Sequence, residues 1–99
     1  MGISFVPAMA PRGIRKSVHT LEQLTFCGLM RQARKKAGLT QQDLSKRLGK
    51  PQSFVAKYEG GERRLDVLEF ITIARAIGAD PIRLLKALLD GLDSKPIRK

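Results

Sequence analysis

The stretch LTQQDLSKRLGKPQSFVAKYEGGERR, Leu39 to Arg64, decides how the chain folds. Thr40 is a good N-cap with Asp43 three residues on, and Leu44 and Leu48 form an i, i+4 apolar pair, so the spacing predicts a short helix running to Leu48. Gly49 stops it, at the place where a left-handed residue closes a helix. Pro51 is expected at the first position of the next helix, where its missing N–H has no partner to lose. Val55 and Tyr58, three apart, would pack that helix back onto its predecessor, and Ser45 is small where the two must approach. On a wheel of about 100° per residue starting at Pro51, the arc from roughly 300° to 40° holds Pro51, Phe54, Val55 and Tyr58, and the arc from about 100° to 240° holds Gln52, Ser53, Ala56 and Lys57. One side is a core; the other is a row of polar or small side chains.

Working outward, Thr20-x-x-Gln23 has the form of a capping box. Phe26, Leu29, Met30, Ala33 and Ala37 make the apolar stripe of a first helix that should end at Gly38. Beyond Gly60-Gly61 and the polar loop Glu62-Arg63-Arg64, Asp66-x-x-Glu69 opens a fourth helix, with Leu65 and Phe70 as its hydrophobic staple, running to about Ile77 and stopping at Gly78. Asp80-Pro81 starts a fifth, which carries LLKALL and is expected to end near Gly91. No alternating strand pattern and no internal repeat is visible. The reading is one compact all-α domain of five helices over residues 18–91, after an arm (1–17) and before a basic tail (92–99). Its second and third helices, short and joined by a tight glycine turn, have the arrangement of a helix-turn-helix. In that motif the first helix crosses the DNA backbone and the second lies in the major groove.

Charge supports the same partner. Of 99 residues, 19 are Lys or Arg and 9 are Asp or Glu, a formal charge of +10 that points to nucleic acid or an anionic membrane. From Arg31 to Arg64 there are ten basic and three acidic residues, against three and five from Leu65 to Ser94. A membrane-surface helix would line its bases along one continuous segment, whereas here they are spread over three helices and a loop. No stretch approaches the ~20 apolar residues of a membrane span. The opening MGISFVPAMAPRGIRK does not read as a signal peptide, because its charges follow an apolar run that Pro7 interrupts. Gly2 does not read as a myristoylation site, since Val6 stands where Ser or Thr is required. A cytoplasmic, nucleoid-associated protein is expected.

One cysteine and one histidine exclude an intramolecular disulfide, a zinc finger and a Cys–His metal cluster. Cys27 reads as a small buried hydrophobe, and His19 as a solvated or helix-entry residue. With no Gly-rich phosphate loop and no carboxylate pair among apolar neighbours, neither enzymatic activity nor a metal or cofactor is expected.

The polar row has a definite chemistry. Gln52 can bind adenine in a bidentate manner, Lys57 can reach guanine O6 and N7, Ala56 can touch a thymine methyl, and Ser53 can bond either a base or a phosphate. Lys50, Arg63 and Arg64 flank that row and would clamp the backbone. Lys35, Lys36, Lys46 and Arg47 are phosphate contacts or solvated charges. On the fifth helix, Ile82, Leu85 and Leu89 form one apolar row and Leu84 and Leu88 a second. An outer helix needs one row for its own core, so the Leu84/Leu88 row reads as surplus, available to a partner chain or the arm, unless the monomer buries both. A homodimer through this end of the domain is the expectation.

From about Ser17 to Leu89, and most strongly in GLTQQDLSKRLG, PQSFVAKYEGGERRLDVLEF and ARAIGADP, the chain resembles the Cro/repressor-type, lambda-repressor-like helix-turn-helix proteins, also called the xenobiotic-response-element (XRE) family. The resemblance implies a five-helix domain that binds double-stranded operator DNA as a two-fold dimer, as a regulator and commonly a repressor, without enzymatic activity. It implies that Gln41 contacts a phosphate and that Gln52, Ser53 and Lys57 read bases. It also implies a structural ion pair between Arg34 of the first helix and Glu59 closing the third. Two positions depart from the pattern: Ser45 stands where Ala is usual, and Gly60-Gly61 replaces Asn-Gly. The same domain also serves as the antitoxin of a toxin–antitoxin pair, with a cognate toxin as partner, or as a protein-binding adaptor. The basic face argues against the adaptor.

Overall fold

The computed structural model of the chain describes residues 20–94, so the expected arm, His19 and the last five residues of the tail lie outside it. Among the described residues there are five α-helices and no strand: α1 (Leu21–Lys36), α2 (Gln41–Leu48), α3 (Gln52–Glu59), α4 (Val67–Ile77) and α5 (Pro81–Ser94).

Side-chain oxygens at the caps set where the helices begin. Thr20 Oγ1 accepts from the Gln23 N–H at 3.1 Å. Thr40 and Asp43 form a reciprocal capping box, each side chain accepting from the other's N–H at 3.0 and 2.9 Å, and Asp66 and Glu69 form another at 2.8 and 2.9 Å. Each box satisfies two N–H groups that an isolated helix start leaves without partners. Asp80 accepts from the Ile82 N–H at 2.9 Å and so opens α5 with Pro81 in the first turn. Pro51 departs from expectation by one residue. With ψ at 156° it is the extended N-cap of α3 rather than its first helical residue, and the helix begins at Gln52.

Gly49 ends α2 with φ at +69°, and the Lys50 N–H closes back on the Ser45 carbonyl at 3.0 Å. A side chain at φ near +70° is strained, which makes glycine the residue that can turn the chain this tightly. The same six-to-one closure recurs after α1 and α4, from Leu39 to Arg34 and from Ala79 to Ala74.

The core is Met30 from α1, Leu44 from α2, Val55 and Tyr58 from α3, and Ile73 and Ile77 from α4. Phe26, Ala33, Leu48, Phe54, Leu65, Phe70 and Leu84 are partly buried against it. Cys27 is buried, as expected, and burial pushes its thiol up. Ser45 is buried too, with its hydroxyl donating to the Gln42 carbonyl at 2.8 Å, so the departure from alanine leaves no polar group unsatisfied. Of the predicted α1 stripe, Ala37 alone is exposed, because it is already the C-cap.

The last helix requires two corrections. It does not end near Gly91 but continues to Ser94, and Leu92 is half-buried, so the tail begins later than composition suggests. A Cβ built on Gly91 would lie 3.4 Å from the Thr25 methyl of α1, an ordinary packing distance, so this glycine sits within the helix where it packs on α1 and does not stop it. The apolar rows are also reversed. Leu84 and Leu88 are the half-buried row, while Ile82, Leu85 and Leu89 are 70%, 47% and 51% exposed. Counting rows shows that one is surplus; which one faces inward depends on how α5 is rotated where it packs on α1 and α4.

Candidate nucleic-acid interface

Gln52, Ser53, Ala56 and Lys57 are all exposed on α3, while Val55 and Tyr58 on its other side are buried, Phe54 is half-buried, and Glu59 is buried at the helix's last residue. The division read from the wheel is therefore the one the fold produces. The frame that holds α3 rigid is its packing against α2, the most extensive helix pairing in the domain, and against α1.

Beneath the row lies a buried polar cluster centred on Glu59, whose side chain is fully shielded from solvent. Arg34 donates to it through two nitrogens, Nε to Oε2 at 2.8 Å and Nη2 to Oε1 at 2.9 Å. This parallel fork is the strongest geometry an Arg–carboxylate pair adopts. Arg34 also donates to the Leu39 carbonyl at 2.8 Å, tying the α1–α2 turn into the cluster. The Glu59 bond, more than any other contact, holds the Arg34 guanidinium above its ordinary range. The partnership between α1 and the end of α3 is thus present, and deeply buried. Arg31, 3.8 Å from the same carboxylate, adds a second, more exposed cation.

Two further bonds were not legible beforehand. Gln41 Nε2 donates to Glu59 Oε1 at 3.1 Å, and Gln52 Nε2 donates to Gln41 Oε1 at 3.3 Å. A chain of polar contacts therefore runs from α1 through the C-terminus of α3 and the N-terminus of α2 to the first residue of α3. A signal for it exists in the sequence. Gln52 and Glu59 are seven apart, so they share an edge of the helix at about 80–100° on the wheel. Nothing in the sequence says that Gln41 stands between them.

The expected backbone clamps are less uniform than their shared charge implies. Arg63 is already engaged: it grips Glu69 with both terminal nitrogens at 3.1 and 2.8 Å and donates to the Arg64 carbonyl at 2.9 Å. That bond, with the Asp66 N–H, holds the Glu69 carboxyl below its usual range. A phosphate would have to share Arg63 with this carboxylate. Arg63 and Lys50 also lie over the ring of Phe54, at 4.8 and 5.4 Å from its centroid, an arrangement that orients cations beside an aromatic face. Phe54, read as a core residue, is thus also the platform that gathers two bases at one end of α3. Arg47 is exposed but donates to the Ala76 carbonyl at 2.8 Å, joining α2 to the last turn of α4. Lys35, Lys36, Lys46 and Arg64 are exposed, and Lys36 stands beside the α4–α5 turn, on the wall of a recess it shares with Gly78, Ala79 and Leu84.

Among the described residues no cluster of His, Cys, Asp or Glu is placed to hold a metal ion, and no helix is long and apolar enough to cross a membrane.

Comparison with known proteins bears on this geometry. The profile of a helix-turn-helix family matches residues 30–84, the span that holds α2, α3 and α4 with the last seven residues of α1 and the first turn of α5. Among solved structures, the chain is similar to an XRE-family like protein from Pseudomonas syringae pv. tomato, at 46% identity over 79% of this chain and 95% of that one, with a TM-score of 0.69. Among curated proteins none matches.

Proposed function

The chain belongs to the XRE family of helix-turn-helix DNA-binding regulators, and from that premise we propose that it is a sequence-specific transcriptional repressor that reads duplex DNA with α3 in the major groove. The observation that carries this reading is the exposed row Gln52, Ser53, Ala56 and Lys57, set on a helix whose opposite side is locked into the core. Gln52, Ser53 and Lys57 meet base edges, and Ala56 a thymine methyl. Gln41, Lys50 and Arg64 meet phosphates, with Arg47 and Arg63 contributing charge at the rim while bound to their protein partners.

The protein acts as a homodimer on two half-sites about 34 Å apart, one turn of duplex. Support for this comes from α5, whose Ile82, Leu85 and Leu89 lie exposed on one side. Leu85 among them also lines a groove of about 320 Å³ with Phe26, Val67, Phe70, Leu88 and Leu92, rimmed by Glu22, Arg64 and Asp66. An exposed apolar row beside such a groove, on so small a domain, favours an interaction site. The working compartment is the cytoplasm, at the nucleoid.

Selection of bound sequences from a random duplex pool, followed by salt titration on the selected site, tests the reading. With about six phosphates neutralised, log K should fall with log salt at a slope of about −5. A slope near zero, or a pool that stays random, would overturn it.

A further inference from the structure

Resting on the base-reading role proposed for Gln52, we infer that Glu59, buried and out of reach of DNA, selects which base Gln52 accepts by fixing the polarity of two amide groups in series. Glutamine amides can flip end for end, exchanging a donor for an acceptor at nearly the same position. Glu59 removes that freedom. Its carboxylate, paired with Arg34, can only accept, so the Gln41 amide must turn its Nε2 toward Glu59, as it does at 3.1 Å. Gln41 Oε1 then faces away and accepts from Gln52 Nε2 at 3.3 Å. Gln52 is left with its carbonyl oxygen and one N–H for the groove. That pairing, one acceptor beside one donor, matches the N6 amino group and N7 of adenine. A guanine at the same place presents two acceptors, N7 and O6, to which the fixed carbonyl would be opposed. The second N–H of Gln41 is not used by this relay and serves its phosphate contact.

Glu59 is on this account a positioning residue, and its effect is separable from its part in the fold. The test compares wild type, Glu59→Gln and Gln41→Met in sequence selection, and then in competition between sites that differ at one base pair. All measurements are made below the unfolding range of the least stable variant. Glu59→Gln replaces a pure acceptor by a group that can present either end. Gln41→Met keeps the side-chain length at a half-buried surface position and breaks the relay while leaving both Arg34–Glu59 hydrogen bonds in place. A bidentate glutamine–adenine contact discriminates by roughly 5- to 150-fold. Both variants should lose several-fold of that discrimination at the base pair that Gln52→Ala affects, and retain it at the pairs read by Ser53 and Lys57. Loss of the Gln41 phosphate contact lowers affinity for every sequence alike and cancels from the ratio. If both variants keep wild-type discrimination at that pair, or lose it evenly at all positions, the relay is overturned and Glu59 is structural. If wild type itself selects no site, the DNA-reading assignment fails first and takes the relay with it.

Discussion

The two halves of this domain are built from similar short helices, yet they leave opposite kinds of surface uncovered. The half from Arg31 to Arg64 carries ten basic and three acidic residues, buries a charged cluster around Glu59, and exposes a polar row on α3. The half formed by α4 and α5 has a small acidic excess, few buried polar groups, and exposes Val67, Leu68, Ile82, Leu85 and Leu89. Each exposed surface fits a partner of its own kind. A charged face gains from a polyanion and loses that gain to salt; an apolar face gains from another apolar face and is not weakened by screening. One fold in this way sets an exposed polar row on α3 at one side and an exposed apolar row on α5 at the other.

The sharpest way to break this comparison is to strike the buried cluster. Arg34→Ala leaves the Glu59 carboxylate shielded from water with Gln41 and the more distant Arg31, and loss of one partner of a buried pair costs about 3–5 kcal/mol. Thermal or urea unfolding should show a loss of that order. A change of a few tenths of a kcal/mol would place the pair outside the energetics of the core.

On the opposite half, Leu85→Glu should leave helical content intact while halving the mass seen by sedimentation at micromolar concentration. Binding to a two-half-site operator should weaken by about 10²- to 10⁴-fold, the range that linked sites contribute, with little change on a single half-site. A monomeric wild type, with or without DNA, would remove the assembly role from α5.

A smaller effect sharpens the reading face. Gln52→Ala should cost roughly 1–3 kcal/mol at the preferred site and relax choice at one base pair, whereas Lys50→Ala should weaken specific and random DNA about equally. Identical behaviour of the two on both DNAs would erase the distinction between the α3 row and its rim.

The smallest expected effect concerns pH. Hydrogen bonds from the Thr40 backbone and side chain hold the Asp43 carboxyl below its usual range, and Arg63 with the Asp66 N–H does the same for Glu69. A carboxylate with a lowered folded-state value adds stability that is present above its unfolded value and fades as pH falls through the folded one. Unfolding temperature should therefore decline on acidification below the ordinary carboxylate range. Asp43→Asn and Glu69→Gln should start lower at neutral pH and decline less steeply. Parallel curves for all three proteins would show that neither cap is linked to proton uptake.

Much of the architecture was legible because it is written in local chemistry. Thr40 with Asp43, Asp66 with Glu69, and glycines at 38, 49 and 78 act within one turn of themselves, so their sequence spacing is their structure. The exposed face of α3 was legible for the same reason, since the wheel of a short straight helix depends on residue order alone. The misreadings lie where one element meets another. Pro51 is compatible with either of two adjacent positions at a helix start, and the turn from α2 decided between them. Gly91 looked like a terminator until α1 lay against it.

The sequence by itself therefore determined the helix count, the glycine turn between α2 and α3, the polar row on α3 and the separation of charge, because each follows from contacts within about one or two turns. The tertiary structure alone decided three things: that Leu84 and Leu88 face inward while Ile82, Leu85 and Leu89 stay exposed, that Arg63 and Arg47 are held by Glu69 and by the end of α4, and that Gln41 links Glu59 to Gln52. These depend on the rotation of one helix against another and on side chains up to 29 positions apart, as in the Arg47–Ala76 bond. Helical periodicity fixes which residues share a face; packing selects the neighbour that face meets.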